Sequence, residues 1–266
     1  MAGRIITITS GKGGVGKTTA TANLGVALAR RGQRVACVDA DIGLRNLDVV
    51  MGLENRIVYD LVDVVEGRAR LRQALIKDKR LPELQLLPAA QTREKSAVNE
   101  KQMIKLCDEL KKEFDFVLID SPAGIELGFK NSIAPADEVL IVVTPEVSAV
   151  RDADRVIGLA EASEKPSPKL IINRLRPAMV KRGEMMDTAD VLEVLAIELI
   201  GIVPEDETII TSTNKGQPVA LEDRTVAGAA FTRIARRLLG EDVPFQVFDE
   251  SDGLMERFAK LFRRNQ

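Results

Sequence analysis

Two lysines share one glycine-rich loop, Gly11-Lys12-Gly13-Gly14-Val15-Gly16-Lys17-Thr18-Thr19, and these residue types at this spacing suit the holding of phosphate. From Gly11 to Thr18 the run fits the pattern G-x-x-x-x-G-K-[ST]. Its glycines let backbone N–H groups curl around phosphate oxygens with no Cβ in the way. A helix starting directly after the loop adds the positive end of its dipole. In this pattern Lys17 reaches the β- and γ-phosphates and the Thr18 hydroxyl ligates Mg²⁺. The second lysine, Lys12, is surplus to a phosphate loop, and it points away from the phosphates its own loop holds. Taken alone, it reads as a solvated lysine.

Carboxylates at two strand ends are the natural complement of such a loop. Val35-Ala36-Cys37-Val38-Asp39-Ala40-Asp41 places Asp39 and Asp41 where ligands bind in open α/β sheets, at the carboxyl ends of strands. Phe116-Val117-Leu118-Ile119-Asp120 is an apolar run ending in aspartate, the Walker B pattern that supports Mg²⁺. The Ser121-Pro122-Ala123-Gly124 that follows suits a loop that moves when a γ-phosphate is lost. Each aspartate alone could equally be a strand-end turn or a helix cap. Three of them beside a phosphate loop favour the functional reading.

The elements that must position these residues are legible as an alternation. β-branched or apolar runs at 4–9, 34–39, 84–87, 115–120, 138–144, 169–173 and 199–203 predict strands. Helical patterns fall at 17–31, 57–66, 97–113, 148–163, 187–196, 205–214 and 223–239. Alternation of this kind implies βαβ units, hence an α/β fold with a mostly parallel sheet between helix layers. The first strand, the glycine loop and the first helix give the motif the context it requires. Residues 1–240 are expected to form one nucleotide-binding domain, 241–252 a tether, and 253–266 a separate amphipathic helix. No N-terminal signal peptide is visible, and no apolar run reaches membrane-spanning length.

Composition narrows the chemistry. The 266 residues include no histidine, which removes imidazole acid–base catalysis and histidine metal sites. Cys37 and Cys107 are far apart and read as buried free thiols in a reducing, cytoplasmic setting. Net charge is −2, yet residues 253–266 hold Arg257, Lys260, Arg263 and Arg264 against Glu256. The body is therefore mildly acidic, which argues against a domain built to bind nucleic acid. In the tail, Leu254, Met255, Phe258, Leu261 and Phe262 fall on one helical face and the basic residues on the other. That pattern over 254–264 suits an interfacial helix on anionic lipid; the competing reading is a final helix docked on the protein's own body.

KGGVGKTT resembles the deviant Walker A motif of the MinD/ParA family of ATPases. Further runs at 38–48, 51–54, 73–80, 119–126, 145–155 and 202–206 are similar to the members of that family that select the division site. The resemblance implies that Lys12 crosses a dimer interface to the partner's nucleotide, as an arginine finger does in trans. It implies that Asp41 belongs to switch I and orients the attacking water, that Asp39 and Asp120 support Mg²⁺ through water, and that 121–126 is switch II. Asn173, Pro204 and Asp206 match adenine-contacting positions, although Asn173 could simply make a strand-end hydrogen bond. A guanine-reading N-K-x-D box is missing, since Asn214-Lys215-Gly216-Gln217 lacks the aspartate. The resemblance further implies ATP and Mg²⁺ as cofactors, an ATP-dependent homodimer, MinC and MinE as partners, and a place in the cytoplasm and on the cytoplasmic face of the bacterial inner membrane. Ile125, Glu126, Glu146, Ser148, Asp152 and Asp154 are its candidate partner contacts. Two alternatives stand beside it: a flagellar-number or ParA-like positioning ATPase, and a metabolic P-loop enzyme, which would have no use for an amphipathic tail.

Overall fold

The computed structural model describes residues 3–246 apart from 164, 166, 167 and 223. The amphipathic segment expected at 254–264, and the tether beyond 246, lie outside the described residues.

Eight strands form one sheet: β1 (Arg4–Thr9), β2 (Val35–Asp39), β3 (Ile76–Lys77), β4 (Leu84–Leu87), β5 (Phe116–Asp120), β6 (Glu138–Val143), β7 (Lys169–Leu175) and β8 (Glu198–Pro204). Their order is β3-β4-β2-β5-β1-β6-β7-β8, and all neighbours run parallel except β3 with β4. The longer helices are α1 (Lys17–Ala29), α5 (Glu100–Glu113), α7 (Val147–Ala162), α9 (Thr188–Leu195) and α11 (Val226–Leu238). Between them lie the short α2 (Leu47–Met51), α3 (Leu61–Val65), α4 (Leu71–Ala74), α6 (Leu127–Ile133), α8 (Pro177–Lys181) and α10 (Thr208–Asn214).

The strands are solidly apolar because both faces of the sheet are covered. Alternate residues of β2 and β5 serve opposite layers. Val35, Cys37, Phe116 and Leu118 join the cluster with α1, while Ala36, Val38, Val117 and Ile119 join the one with α5. Eleven of the thirteen residues of α1 are buried, so this helix is covered nearly all round. Gly25 lets it sit tight on the sheet: a Cβ there would come within 2.6 Å of Cys37 Sγ. The thiols Cys37 and Cys107 are both free and buried, and burial pushes both well above the ordinary thiol range.

Chain connections run from β1 leftward to β2 and from β5 rightward across β1 to β6. The order reverses at β1, and a crevice opens at its carboxyl end, where ligands sit in such sheets. The glycine loop occupies that place.

Several helix starts differ from the periodicity. The expected 57–66 helix shrinks to α3 because Asp60 and Asp63 exchange side-chain-to-backbone bonds of 3.0 Å, which fixes the start. The expected 97–113 helix begins at Glu100 because Asn99 accepts from Gln102 N–H at 3.0 Å. At the other end, residues 241–246 turn back along α11. Arg237 donates to the carbonyls of Val243 and Pro244, each at 2.9 Å, and lies 4.0 Å from the Phe245 ring.

Candidate functional site

The loop leaves β1 and enters α1 at Lys17. Gly14 and Gly16 have φ of +79° and +100°, a left-handed backbone that strains any other residue. Gly16 has a second reason to lack a side chain, since a Cβ would come within 2.3 Å of Asn173 Nδ2. That amide donates to the Val15 carbonyl at 2.8 Å, so the end of β7 buttresses the loop. Asn173 Oδ1 is buried with no hydrogen-bond partner. Gly11 lies flush on α7, where a Cβ would sit 2.2 Å from the Asp152 carbonyl oxygen. Ser10 Oγ donates to the Lys12 carbonyl at 2.8 Å, which steadies the entry to the loop.

The two lysines diverge. Lys17 is 8% exposed. Burial lowers the affinity of its amine for a proton, and the carboxylates of Asp120 and Asp41 partly restore it. A desolvated cation of this kind is poised for an anionic ligand. Lys12 is turned to the start of α7, with Nζ 3.1 Å from Ser148 Oγ and 3.5 Å from Glu146 Oε2. It rests beside the loop rather than over it.

Asp39 and Asp120 are register partners across β2 and β5. Both carboxyls are buried and hold their protons above the ordinary carboxylate range. For Asp39 burial is the main cause, followed by the charge of Asp120. For Asp120 burial again leads, opposed by a hydrogen bond from Thr18 and by Lys17. Two buried acids with so little cationic company fit a divalent ion close by. Asp39 already accepts from the backbone N–H groups of Asp41 (2.9 Å), Asn46 (3.2 Å) and Leu47 (3.1 Å). It therefore organises residues 40–47 and is suited to reach an ion through water. Among the described residues no cluster of three acidic or thiol side chains forms a direct cage. An ion at Thr18 would complete its shell from phosphate and water, as Mg²⁺ commonly does.

Asp41 is partly buried at the front of the site; its Oδ1 makes no hydrogen bond and lies 3.8 Å from Lys95 Nζ. Pro204 closes β8. Beyond it Asp206 is fully engaged, accepting from Thr208 N–H (2.9 Å), Thr208 Oγ1 (2.6 Å) and Ala227 N–H (3.0 Å). Its carboxylate starts two helices.

The fold also brings in residues that motif reading passes over. Thr21 Oγ1 donates to the Lys17 carbonyl at 3.0 Å and lies 3.3 Å from Asp120 Oδ1. Its spacing four residues after Lys17 was a usable signal. Lys95, on a 3₁₀ turn at Lys95–Ala97, gave none.

Comparison with known proteins gives the family. Residues 6–219 match the CobQ/CobB/MinD/ParA nucleotide binding domain. The chain is 59% identical over 246 residues, 92% of each partner, to septum site-determining protein MinD of Synechocystis sp.. This chain belongs to the MinD family. It is a P-loop nucleotide-binding ATPase of the septum site-determining, cell-division type. MinD in the Aquifex aeolicus MinC:MinD complex superposes with a TM-score of 0.86 at 50% identity, covering 92% of this chain and 98% of that one. MinD of Pyrococcus horikoshii, solved with Mg-ADP, gives 0.80 at 32%, covering 88% and 95%. The septum site-determining relatives favour the division-site reading over a metabolic P-loop enzyme.

Proposed function

We propose that this chain is an ATP-switched, peripheral membrane ATPase that selects the division site by carrying a partner to the inner membrane surface. The observation that carries this reading is the divergence of the two loop lysines. Lys17 is buried among carboxylates, and Lys12 is turned outward on α7. One lysine serves the chain's own phosphates, together with the backbone of Gly11, Gly13, Gly14, Val15 and Gly16 and the residues Thr18 and Thr19. The other is free to serve a second copy's nucleotide. A face-to-face C₂ dimer would place two such lysines reciprocally.

In that dimer the chemistry is positioning and charge neutralisation. Thr18, with Asp39 and Asp120 in support, would hold Mg²⁺, which would supply charge neutralisation for the phosphates, and Asp41 orients the attacking water. Asn173 Oδ1, Pro204 and the Asp206 backbone take adenine. MinC, a partner in the Aquifex complex, docks on the switch and α7 surface; MinE accelerates hydrolysis and release. Residues 254–264 bind anionic lipid weakly as one copy, and a dimer presents two, which raises avidity by ~10²–10⁴. No candidate membrane span occurs among the described residues.

Vesicle sedimentation tests the reading as a whole. Anionic vesicles should pellet the chain with ATP and Mg²⁺, and not with ADP or without nucleotide. Equal pelleting in all three conditions would refute the switch.

A further inference from the structure

Two short helices, α2 and α10, each begin at a carboxylate of the nucleotide site. Leu47 N–H, at the start of α2, donates to Asp39 at 3.1 Å. Thr208 N–H, at the start of α10, donates to Asp206 at 2.9 Å. The far ends of the two helices touch, backbone against backbone. A Cβ on Gly52 would come within 2.6 Å of the Gly216 carbonyl oxygen, and one on Gly216 within 2.4 Å of Gly52 Cα. Both glycines have positive φ, +68° and +61°. With bare backbone on both sides, there is no rotamer to absorb a shift of one helix end against the other.

Arg80 closes this junction. It stands in the connection between β3 and β4, beside the buried Asp78, whose N–H donates to the Leu84 carbonyl at 2.9 Å. Asp78 grips the guanidinium through Nε at 3.1 Å and Nη2 at 2.6 Å. The same guanidinium donates to the Gly216 carbonyl from Nη1 at 2.8 Å and to the Met51 carbonyl from Nη2 at 2.7 Å. Both carbonyls lie at helix ends, where intrahelical donors run out. A planar fork of fixed donors suits this arrangement, and the single ammonium of a lysine does not.

We propose that Arg80 is a positioning residue for hydrolysis: it locks α2 onto the end of α10, so that seating of the base also sets the residues around Asp39 and Asp41. The proposal rests on the adenine reading of Pro204 and Asp206 and adds a path from that base to the reacting end of the nucleotide. The seven residues of α10 carry a displacement over about 10 Å, from Asp206 to the glycine junction. The five residues of α2 carry it over about 7 Å, to the amides that Asp39 holds. Asp41 N–H is held by the same carboxylate at 2.9 Å. The segment after α10 is tied to the phosphate loop as well. Ala220 N–H donates to Asn23 Oδ1 at 2.9 Å, and Asn23 Nδ2 donates to the Thr19 carbonyl at 2.8 Å. Residues 206–220 thus answer to base and phosphate together, and Arg80 passes their position on to α2.

The test compares Mg-ATP with Mg-ribose 5′-triphosphate, which has the same phosphates and no base, on the full chain. In the unaltered protein kcat for ATP should exceed that for the base-less triphosphate by about ten-fold, the scale of a small misplacement at a reacting centre. Arg80→Met should remove this advantage. It should lower kcat for ATP by about ten-fold with KM within about two-fold, and leave the base-less rate unchanged. A merely structural defect would lower both rates alike. Because Arg80→Met also strands the buried Asp78, Gly216→Ala opens the same junction from the other side with that ion pair in place. It should give the same split, and the double variant should be no slower than the slower single, since changes on one path do not add. An equal fall for both triphosphates, no fall for ATP, or additive losses overturn the proposal. Equal kcat for the two triphosphates in the unaltered chain also overturns it; the KM values then judge the adenine reading separately, which falls only if they are equal too.

Discussion

Behind the phosphate loop the molecule is closed, and in front of it the molecule is open. At the back, Thr21 bonds to the Lys17 carbonyl and Asp120, and Asn23 bridges the Thr19 carbonyl to Ala220 N–H. At the front, residues 40–46 and 121–127 leave Leu44 62% and Ile125 43% exposed, and Asp41 Oδ1 without a hydrogen bond. The back cannot shift without breaking the core. The front is tied down by backbone bonds, several of them to the Asp39 carboxylate, and presents open side chains that can answer to a nucleotide and a partner. The contrast separates binding from switching: substitutions behind the loop should remove nucleotide, and substitutions in front should spare it.

The largest effect is expected at the back. Lys17→Ala should weaken ATP binding by about 10²-fold or more, because removing one partner of a buried charge pair costs ~3 kcal/mol. Gly16→Ala should do the same by driving a Cβ into Asn173. Calorimetric titration with Mg-ATP reads both, and unchanged affinity in Lys17→Ala would remove the loop from the site.

Next come two front-side changes that should leave ATP binding to the monomer almost untouched. Lys12→Ala should lower hydrolysis by roughly 10³-fold, the scale of a cation supplied in trans. Asp41→Ala should also stop hydrolysis, but it should trap the ATP dimer. A monomer by light scattering in Asp41→Ala with ATP would sink the trans arrangement.

A smaller effect concerns pH. Asp39 and Asp120 hold their protons to higher pH than a free aspartate. A cation prefers the deprotonated pair, so Mg-ATP affinity should climb as pH rises through this raised range, with proton release on binding. ATP without Mg²⁺ should show a shallower dependence. Titrations in buffers of different ionisation enthalpy measure the released protons, and none released would contradict the placing of the ion.

The smallest effect is at the rim of the open face. Asp152→Ala and Asp154→Ala should reduce capture of MinC or MinE by about five-fold, the ~1 kcal/mol that marks a contributing interface residue. Capture of both unchanged would move the docking surface elsewhere.

Much of the architecture was legible because it is local. The seven longer strands and the five longer helices follow periodicity. Helix starts are instead set by caps that periodicity does not show, such as Asp60 with Asp63 at α3 and Asn99 with Gln102 at α5. The short α2, α4, α6 and α8 were missed, as was β3. Four to seven residues hold too few turns to show a period, and an isolated helix of that length is not stable by itself. These pieces exist because neighbours cover them. Leu47 and Met51 of α2, for example, are fully buried in the cluster shared with α1.

By itself, the chain from Ile5 to Ala29 determined a strand, a phosphate loop and a helix, because glycine freedom, β-branching and alanine content act within a few residues of one another. Only the tertiary structure decided what surrounds that loop. Asp39 meets Asp120, 81 positions later, through β-sheet register. Asn173 reaches Val15 across 158 positions, and Lys95 comes to lie beside Asp41. Such meetings depend on strand order and on which side chains the packed core turns toward the crevice, and no short-range pattern encodes either. The direction of Lys12 belongs to the same class: its place in the loop marked it as surplus, and the approach of α7 gave it Ser148 and Glu146 to rest on.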